Sequence, residues 1–185
     1  VQDPVTSTAV NINGTLTVLE AARRAGVKRL VYAASSSAYG DTPTLPKHEE
    51  MKPSPRSPYA ISKLTGEYLL ENYARIFNLE TVALRYFNVF GPYQDPESQY
   101  AAVIPRFITQ ALKGEPATIY GDGKQSRDFT FVDNVVHANL LASEAPVASG
   151  RMYNIACGER FDLLQLQEMI FHDLGIAPIP PVHEP

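Results

Sequence analysis

Lys28-Arg29-Leu30-Val31-Tyr32-Ala33-Ala34 runs without a polar break into Ser35-Ser36-Ser37. The first seven residues are short, β-branched and aromatic, and they read as a strand buried on both faces. Upstream, Gly14 to Gly26 has apolar residues at helical spacing and closes on a glycine suited to a helix C-cap. Ahead of it, Val1 to Asn11 reads as a loop running into that helix. Downstream, the polar, proline-rich connection from Gly40 to Pro58 is too long for a simple turn, which points to a functional loop. Tyr59 to Phe77 then reads as a helix and Thr81 to Phe87 as a strand. The alternation continues through helices at Val103–Lys113, Val132–Glu144 and Leu163–Leu174, with strands at Ala117–Tyr120 and Met152–Ala156. Strands alternating with helices predict an α/β fold with a parallel sheet.

Composition narrows the function classes. The chain has 185 residues, 44% of them hydrophobic and 19% charged, enough for a sizeable core. The net charge is −4 and the basic residues are scattered, so no stripe serves a nucleic-acid backbone. No apolar run reaches the length of a membrane span, and the first residues lack the pattern of a signal peptide. Cys157 is the single cysteine; it excludes an internal disulfide and fits a reducing, cytoplasmic setting. It follows the apolar run Met152 to Ala156 and reads as a small buried hydrophobe. His48, His137, His172 and His183 show no metal-ligand spacing, so no metal is expected and all four read as surface or structural.

Ligands of parallel sheets bind beyond the carboxyl ends of the strands. Ser35, Ser36 and Ser37 stand at one such end and Asn88 at another. Tyr59 and Lys63 are spaced i, i+4, which puts both on one helix face. A tyrosine with a pKa of about 10 is a poor base near neutrality. A cation held beside it favours the phenolate, and a serine hydroxyl from another segment completes a proton path. Read alone, the pair is equally a surface pair on an amphipathic helix, and the serines are polar loop.

Three segments in order change that balance: Ala33-Ala34-Ser35-Ser36-Ser37-Ala38-Tyr39-Gly40, Ser57-Pro58-Tyr59-Ala60-Ile61-Ser62-Lys63 and Arg85-Tyr86-Phe87-Asn88-Val89-Phe90-Gly91-Pro92. Together they resemble the extended short-chain dehydrogenase/reductase family, and more narrowly its nucleotide-sugar 4-epimerases. Asn11-Ile12-Asn13-Gly14-Thr15, Gly121-Asp122-Gly123, Arg127-Asp128-Phe129 and Val132-Asp133-Asn134 extend the likeness over nearly the whole chain. The resemblance implies NAD as cofactor and a UDP-sugar as substrate. It implies Tyr59 as the base on the sugar 4-hydroxyl and Lys63 as its partner on the nicotinamide ribose. Ser35 or Ser36 is the assisting hydroxyl, and the run of serines leaves the choice open.

Other roles follow from the same likeness. Asn11, Ala33, Ala34, Tyr86 and Phe87 border the cofactor. Ser37, Asn88, Gln94, Ala102, Val103, Ile119, Tyr120 and Arg127 belong to the sugar-nucleotide site, with Arg127 on the diphosphate, as suits a guanidinium. On local grounds alone Asn11 is equally a helix N-cap, Asn88 a turn residue, and Arg127 a surface cation paired with Asp128. Relatives that dehydrate or decarboxylate carry acids just after the catalytic hydroxyl, since a departing group needs an acid. Here Ser36, Ser37 and Ala38 stand there, which favours epimerisation. The small Ala102 leaves room for an N-acetyl group, so the likeness is closest to enzymes of UDP-N-acetylglucosamine, with UDP-glucose as the other candidate. A uronic-acid epimerase, a related reductase and an inactive nucleotide-sugar-binding fragment are the alternatives.

The expected organisation is Rossmann-like. Residues 1–90 form the C-terminal part of an NAD-binding domain with Tyr59 and Lys63. Residues 91–185 form mainly a small α/β substrate-binding region, with some segments returning to the sheet. The Gly-x-x-Gly-x-x-Gly turn that holds a pyrophosphate does not occur in the sequence, and roughly the first 80 residues of the family pattern have no counterpart. The 185-residue chain by itself is therefore expected to bind NAD weakly and turn over poorly. A homodimer is expected through the helices that begin near Gly14 and Tyr59, with Leu69, Leu70, Tyr73 and Phe77 available for a bundle or for the core.

Overall fold

A computed structural model describes residues 3–96 and 102–184, and its contacts divide the chain into two units. The first comprises Val1–Phe87 and Asp133–Ile155. Its sheet has three parallel strands in the order β1 (Arg29–Ser35), β2 (Glu80–Tyr86), β6 (Arg151–Ile155). The register runs from Arg29 opposite Glu80 to Ser35 opposite Tyr86, so the two strand ends finish level.

Successive side chains of a strand face opposite ways, and both faces of β2 are covered. Ala83 packs with Leu19 and Ala22 of α2 (Gly14–Arg24) and Leu70 and Tyr73 of α3 (Pro58–Phe77). Val82 and Leu84 pack with Ala142 of α5 (Val132–Glu144) and with Ala148. This is the Rossmann-like arrangement of helices on both faces of a parallel sheet.

Two expectations fail in this unit. The strand at Lys28–Ala34 is not buried on both faces: most of β1 is half-buried and Ala33 is exposed, because among the described residues β1 pairs on one side only. The central position, and the full burial, belong to β2, where Thr81 to Arg85 are all enclosed. The start of the chain is also not a loop. Asp3 caps a short helix α1 (Pro4–Thr8), its carboxylate accepting from Thr6 N at 3.0 Å, with Pro4 in the first turn. A π-helical turn, Ala9–Asn13, then leads directly into α2. The N-cap and proline signal was present, but a helix with no buried residue shows no apolar period.

The 20-residue α3 starts where Ser57 caps Ala60 N at 3.1 Å and Pro58 sets the first turn. It stops at Asn78, whose φ of 53° is left-handed. Leu70 and Tyr73 are core residues, Leu69 is half-buried, and Phe77 remains exposed. Ile61, Tyr68 and Ile76 of α3 are exposed as well.

The second unit comprises Asn88–Val132 and Ala156–Pro185. It holds two parallel pairs, β3 (Val89–Phe90) with β5 (Thr130–Phe131) and β4 (Thr118–Tyr120) with β7 (Val182–Glu184). Ile104 and Phe107 of α4 (Val103–Lys113) and Leu163 and Leu166 of α6 (Leu163–Leu174) enclose Ala117 and Ile119. Each fully buried side chain of this size contributes about 1.5–3 kcal/mol. Asp162 and Gln165 form a reciprocal capping box at the start of α6. Cys157 is exposed rather than buried. The chain leaves β6 at Ile155, and the Asp128 carboxylate then accepts from Cys157 N at 2.9 Å and Gly158 N at 2.7 Å, holding a loop at the surface.

Candidate functional site

In the first unit, Lys63 is held by a hydrogen bond and two aromatic rings. Its Nζ donates to the Ala33 carbonyl at 2.8 Å, stands 5.1 Å from the Tyr32 ring centroid and lies 5.9 Å from that of Tyr59. The ammonium is thus pinned to the end of β1 and directed along the face shared with Tyr59. Burial pushes the Lys63 pKa below its ordinary value. Tyr59 is 40% exposed in the first turn of α3. Among the described residues its hydroxyl takes part in no hydrogen bond.

The three serines are not equivalent. Ser35 ends β1 and caps the 3-10 turn Ser36–Tyr39, its Oγ accepting from Ser37 N at 3.2 Å and from Ser37 Oγ at 2.9 Å. The Ser35 proton therefore stays available to an outside acceptor, while the Ser37 proton is committed inward. The Ser36 hydroxyl makes no hydrogen bond among the described residues.

Asn11 is inside the π-helical turn, so it is not an N-cap. Its amide donates to Ser7 Oγ at 3.4 Å and to Ser62 Oγ at 3.1 Å, and Ser62 Oγ donates to the Tyr59 carbonyl at 2.8 Å. The π turn is thereby tied to the first turn of α3; such turns often mark functional segments. Ala34 is buried beneath this surface. Tyr86 exchanges hydrogen bonds with Asn139, and Phe87 N donates to the Ile155 carbonyl at 3.1 Å.

The second unit contains a cavity of about 380 Å³. Asn88, Ala102, Val103, Tyr120 and Arg127 all line it, although they come from four separate places: the start of α4, the end of β4 and two loops. Gln94 does not line it; its amide reaches the Val89 carbonyl at 3.5 Å. Ile119 is fully buried in the core, on the other side of β4 from Tyr120. Asn88 Nδ2 donates to the Asp128 carbonyl at 2.8 Å. Arg127 is set by its main chain, which bridges Phe161 through bonds of 2.9 and 3.1 Å. The Asp128 carboxylate is occupied by the two amides of the 157–158 loop, and no ion pair joins it to Arg127 among the described residues.

The cavity also takes in Arg106, Thr118 and Gln125, which the sequence reading missed. Arg106 lies four residues after Ala102, one helical turn on; that spacing was the available signal. Two arginines on one cavity, with Phe90, Phe107 and Phe129 on its apolar side, suit a ligand that is anionic at one part and flat or apolar at another. Among the described residues no group of three acidic, histidine or cysteine side chains could hold a metal ion. No helix among them is long and apolar enough to cross a membrane.

Comparison with known proteins follows the same lines. The model of the NAD dependent epimerase/dehydratase family matches residues 1–156. The UDP-glucose 4-epimerase of Mycolicibacterium smegmatis is 37% identical over 186 residues, covering 100% of this chain and 59% of that protein. The solved UDP-N-acetylglucosamine 4-epimerase from Methanobrevibacter ruminantium, in complex with UDP-N-acetylmuramic acid, superposes with a TM-score of 0.95 at 38% identity. The UDP-glucose 4-epimerase from Thermotoga maritima with UDP-glucose gives 0.94 at 37% identity. Both structures cover 100% of this chain, which in turn spans 59% of each.

Proposed function

This chain belongs to the NAD dependent epimerase/dehydratase family, and from that premise we propose that it carries the catalytic and sugar-nucleotide-binding residues of a UDP-hexose 4-epimerase. The observation that carries the reading is Lys63, half-buried, pinned at 2.8 Å to the Ala33 carbonyl and held on the Tyr59 face of α3. Tyr59 takes the proton from the sugar 4-hydroxyl. The Lys63 charge favours the phenolate that does so. Ser35 or Ser36 donates to the same sugar oxygen and passes the proton on.

NAD, when bound, would supply a reversible hydride acceptor for the sugar C4, so that the reaction as a whole involves no net oxidation. The donor set fits that group: an ammonium has three donors and Ala33 takes one, leaving two for ribose hydroxyls. Asn11, Ala33, Ala34, Tyr86 and Phe87 would border it, with Tyr59 and Lys63. No carboxylate follows the serines, and Ala38 there is fully buried; nothing at that place supplies the acid a departing group would need.

The second unit takes the nucleotide. Arg127, joined by Arg106, pairs with the diphosphate. Tyr120 and Ile119 serve the uridine end, with Ile119 acting through its main chain because its side chain is enclosed. Asn88, Gln94, Ala102 and Val103, together with Ser37, serve the sugar. The small Ala102 favours an N-acetylhexosamine. We place the protein in the cytoplasm, as its single cysteine suits. We also take it to be a homodimer, with Ile61, Tyr68 and Ile76 exposed on α3 as candidate contacts.

The test is product analysis with NAD and, in turn, UDP-N-acetylglucosamine, UDP-glucose and UDP-glucuronate. The 4-epimer of the first is expected to form fastest. Preferred turnover of the uronate would assign the uronic-acid reaction instead. No epimer from any of the three, in a protein that retains NAD, would overturn the reading.

A further inference from the structure

The buried pair Glu67–Arg85 is used by none of the chemistry above. Arg85 is 2% exposed and Glu67 8%. The contact is bidentate, with Nε to Oε1 at 2.9 Å and Nη2 to Oε2 at 2.6 Å. Glu67 lies one turn beyond Lys63 and two beyond Tyr59, about 6 and 12 Å along the axis of α3. On its other side the guanidinium carbon stands 4.6 Å from the ring centroid of Tyr39. Tyr39 closes the turn that begins after Ser35, and its hydroxyl donates to Asn154 Oδ1 at 2.7 Å on β6. Arg85 is also next to Tyr86 on β2. One side chain therefore touches the Tyr59/Lys63 helix and the serine turn at once.

Stability does not explain the choice of residues. A buried ion pair is often no more stabilising than well-packed apolar residues of similar volume. Leu70 and Tyr73 already dock α3 on the sheet. The pair also leaves Arg85 Nη1 buried without a partner, and such groups call for an explanation. Arg85 lines a cavity of about 220 Å³ with Glu49, Glu67, Glu71 and Arg151, where the excess of acid argues against an anion site. What a planar fork supplies and an apolar contact does not is direction: it sets both the rotation of the helix and its position along the axis.

We propose that Arg85 and Glu67 are positioning residues, which lock α3 against the serine turn and so hold Tyr59, Lys63 and the serine in register for proton transfer. This rests on the epimerase reading. The cation that faces the Tyr59 ring is Lys63, one turn on along the same helix, and Tyr32 on β1 stands on the other side of its ammonium.

The test is made in the active protein with the double variant Arg85→Met/Glu67→Leu, which removes both charges and keeps an apolar core. Its urea midpoint is expected near that of the wild type, with kcat at least tenfold lower and KM for the UDP-sugar within threefold. The acid limb of the kcat–pH profile is expected to move to higher pH, because Lys63 is no longer held in register with the Tyr59 ring. A folded double variant with kcat within threefold would overturn the proposal. So would a lower kcat with an unmoved acid limb, since that is an ordinary structural effect. If the double variant does not fold, Arg85→Lys, which keeps the charge and loses the fork, is judged by the same criteria. A wild type that retains NAD and is inactive overturns the epimerase reading itself, which is a different result from an active wild type that its variants match.

Discussion

Lys63 has to stay charged in a place that disfavours charge. Burial lowers its pKa from 10.5, so the protonated form is lost earlier in a rising pH series than for an exposed lysine. Activity that needs both the Lys63 cation and the Tyr59 anion should therefore have an alkaline limb below the ordinary lysine value; a kcat–pH profile checks this. The same shift acts on stability with a definite sign. The folded protein binds the Lys63 proton less well than the unfolded chain, so this group opposes folding at neutral pH. Its cost falls as pH rises from the folded pKa towards 10.5. Tyr59→Phe and Lys63→Met should each lower kcat by roughly 10²–10⁴, the usual span for an acid–base group, with little change in the melting curve. The pair itself was legible from its i, i+4 spacing. That Lys63 reaches the Ala33 carbonyl was not, because the two are 30 residues apart.

At the scale of elements, α2 and α3 are joined by a polar contact as well as by their core. Tyr73 Oη donates to Glu20 Oε1 at 2.7 Å, and Arg23 donates to both Glu20 oxygens. The Arg23 and Tyr73 bonds hold the Glu20 carboxyl down to about 2. A depressed carboxyl contributes stability above its unfolded value of 4.5 and loses it as pH falls towards 2. Glu20→Gln should therefore flatten the acid side of a melting-temperature series in that window. Gly66 of α3 lies against Tyr32 of β1: an added Cβ would collide with the Tyr32 ring and hydroxyl. Gly66→Ala should cost about 1–3 kcal/mol as overpacking, read from urea unfolding. The helix bounds of α4 and α6 were legible to the residue, since each is followed by a left-handed glycine, Gly114 and Gly175. The two-residue strands β3 and β5 were not, because a pair so short has no period and is defined only by its partner.

For the whole molecule, mass is the informative quantity. Native mass spectrometry of the 185-residue chain should give 20.4 kDa, or twice that for the homodimer, with little retained NAD. A retained dinucleotide at that mass would overturn the expectation that the chain by itself binds NAD weakly. The edge of β1, unpaired among the described residues, and the exposed apolar residues Val136, Leu140 and Leu141 on α5 are surfaces that a comparison of this chain with a longer polypeptide should find more protected from hydrogen exchange in the latter.

Local order and motif spacing by themselves determined that this is an α/β protein, that α3 carries a Tyr59–Lys63 face, and that hydroxyls follow β1. Each is a property of neighbours within one or two turns, where periodicity and capping act. Which of three strands is central, how Asp128 is engaged, that Arg106 joins Arg127 on one cavity, and that Glu67 meets Arg85 were decided by tertiary structure alone. Those contacts pair residues that are 18 or more apart, and a pattern with a period of two or 3.6 residues carries no information over that distance.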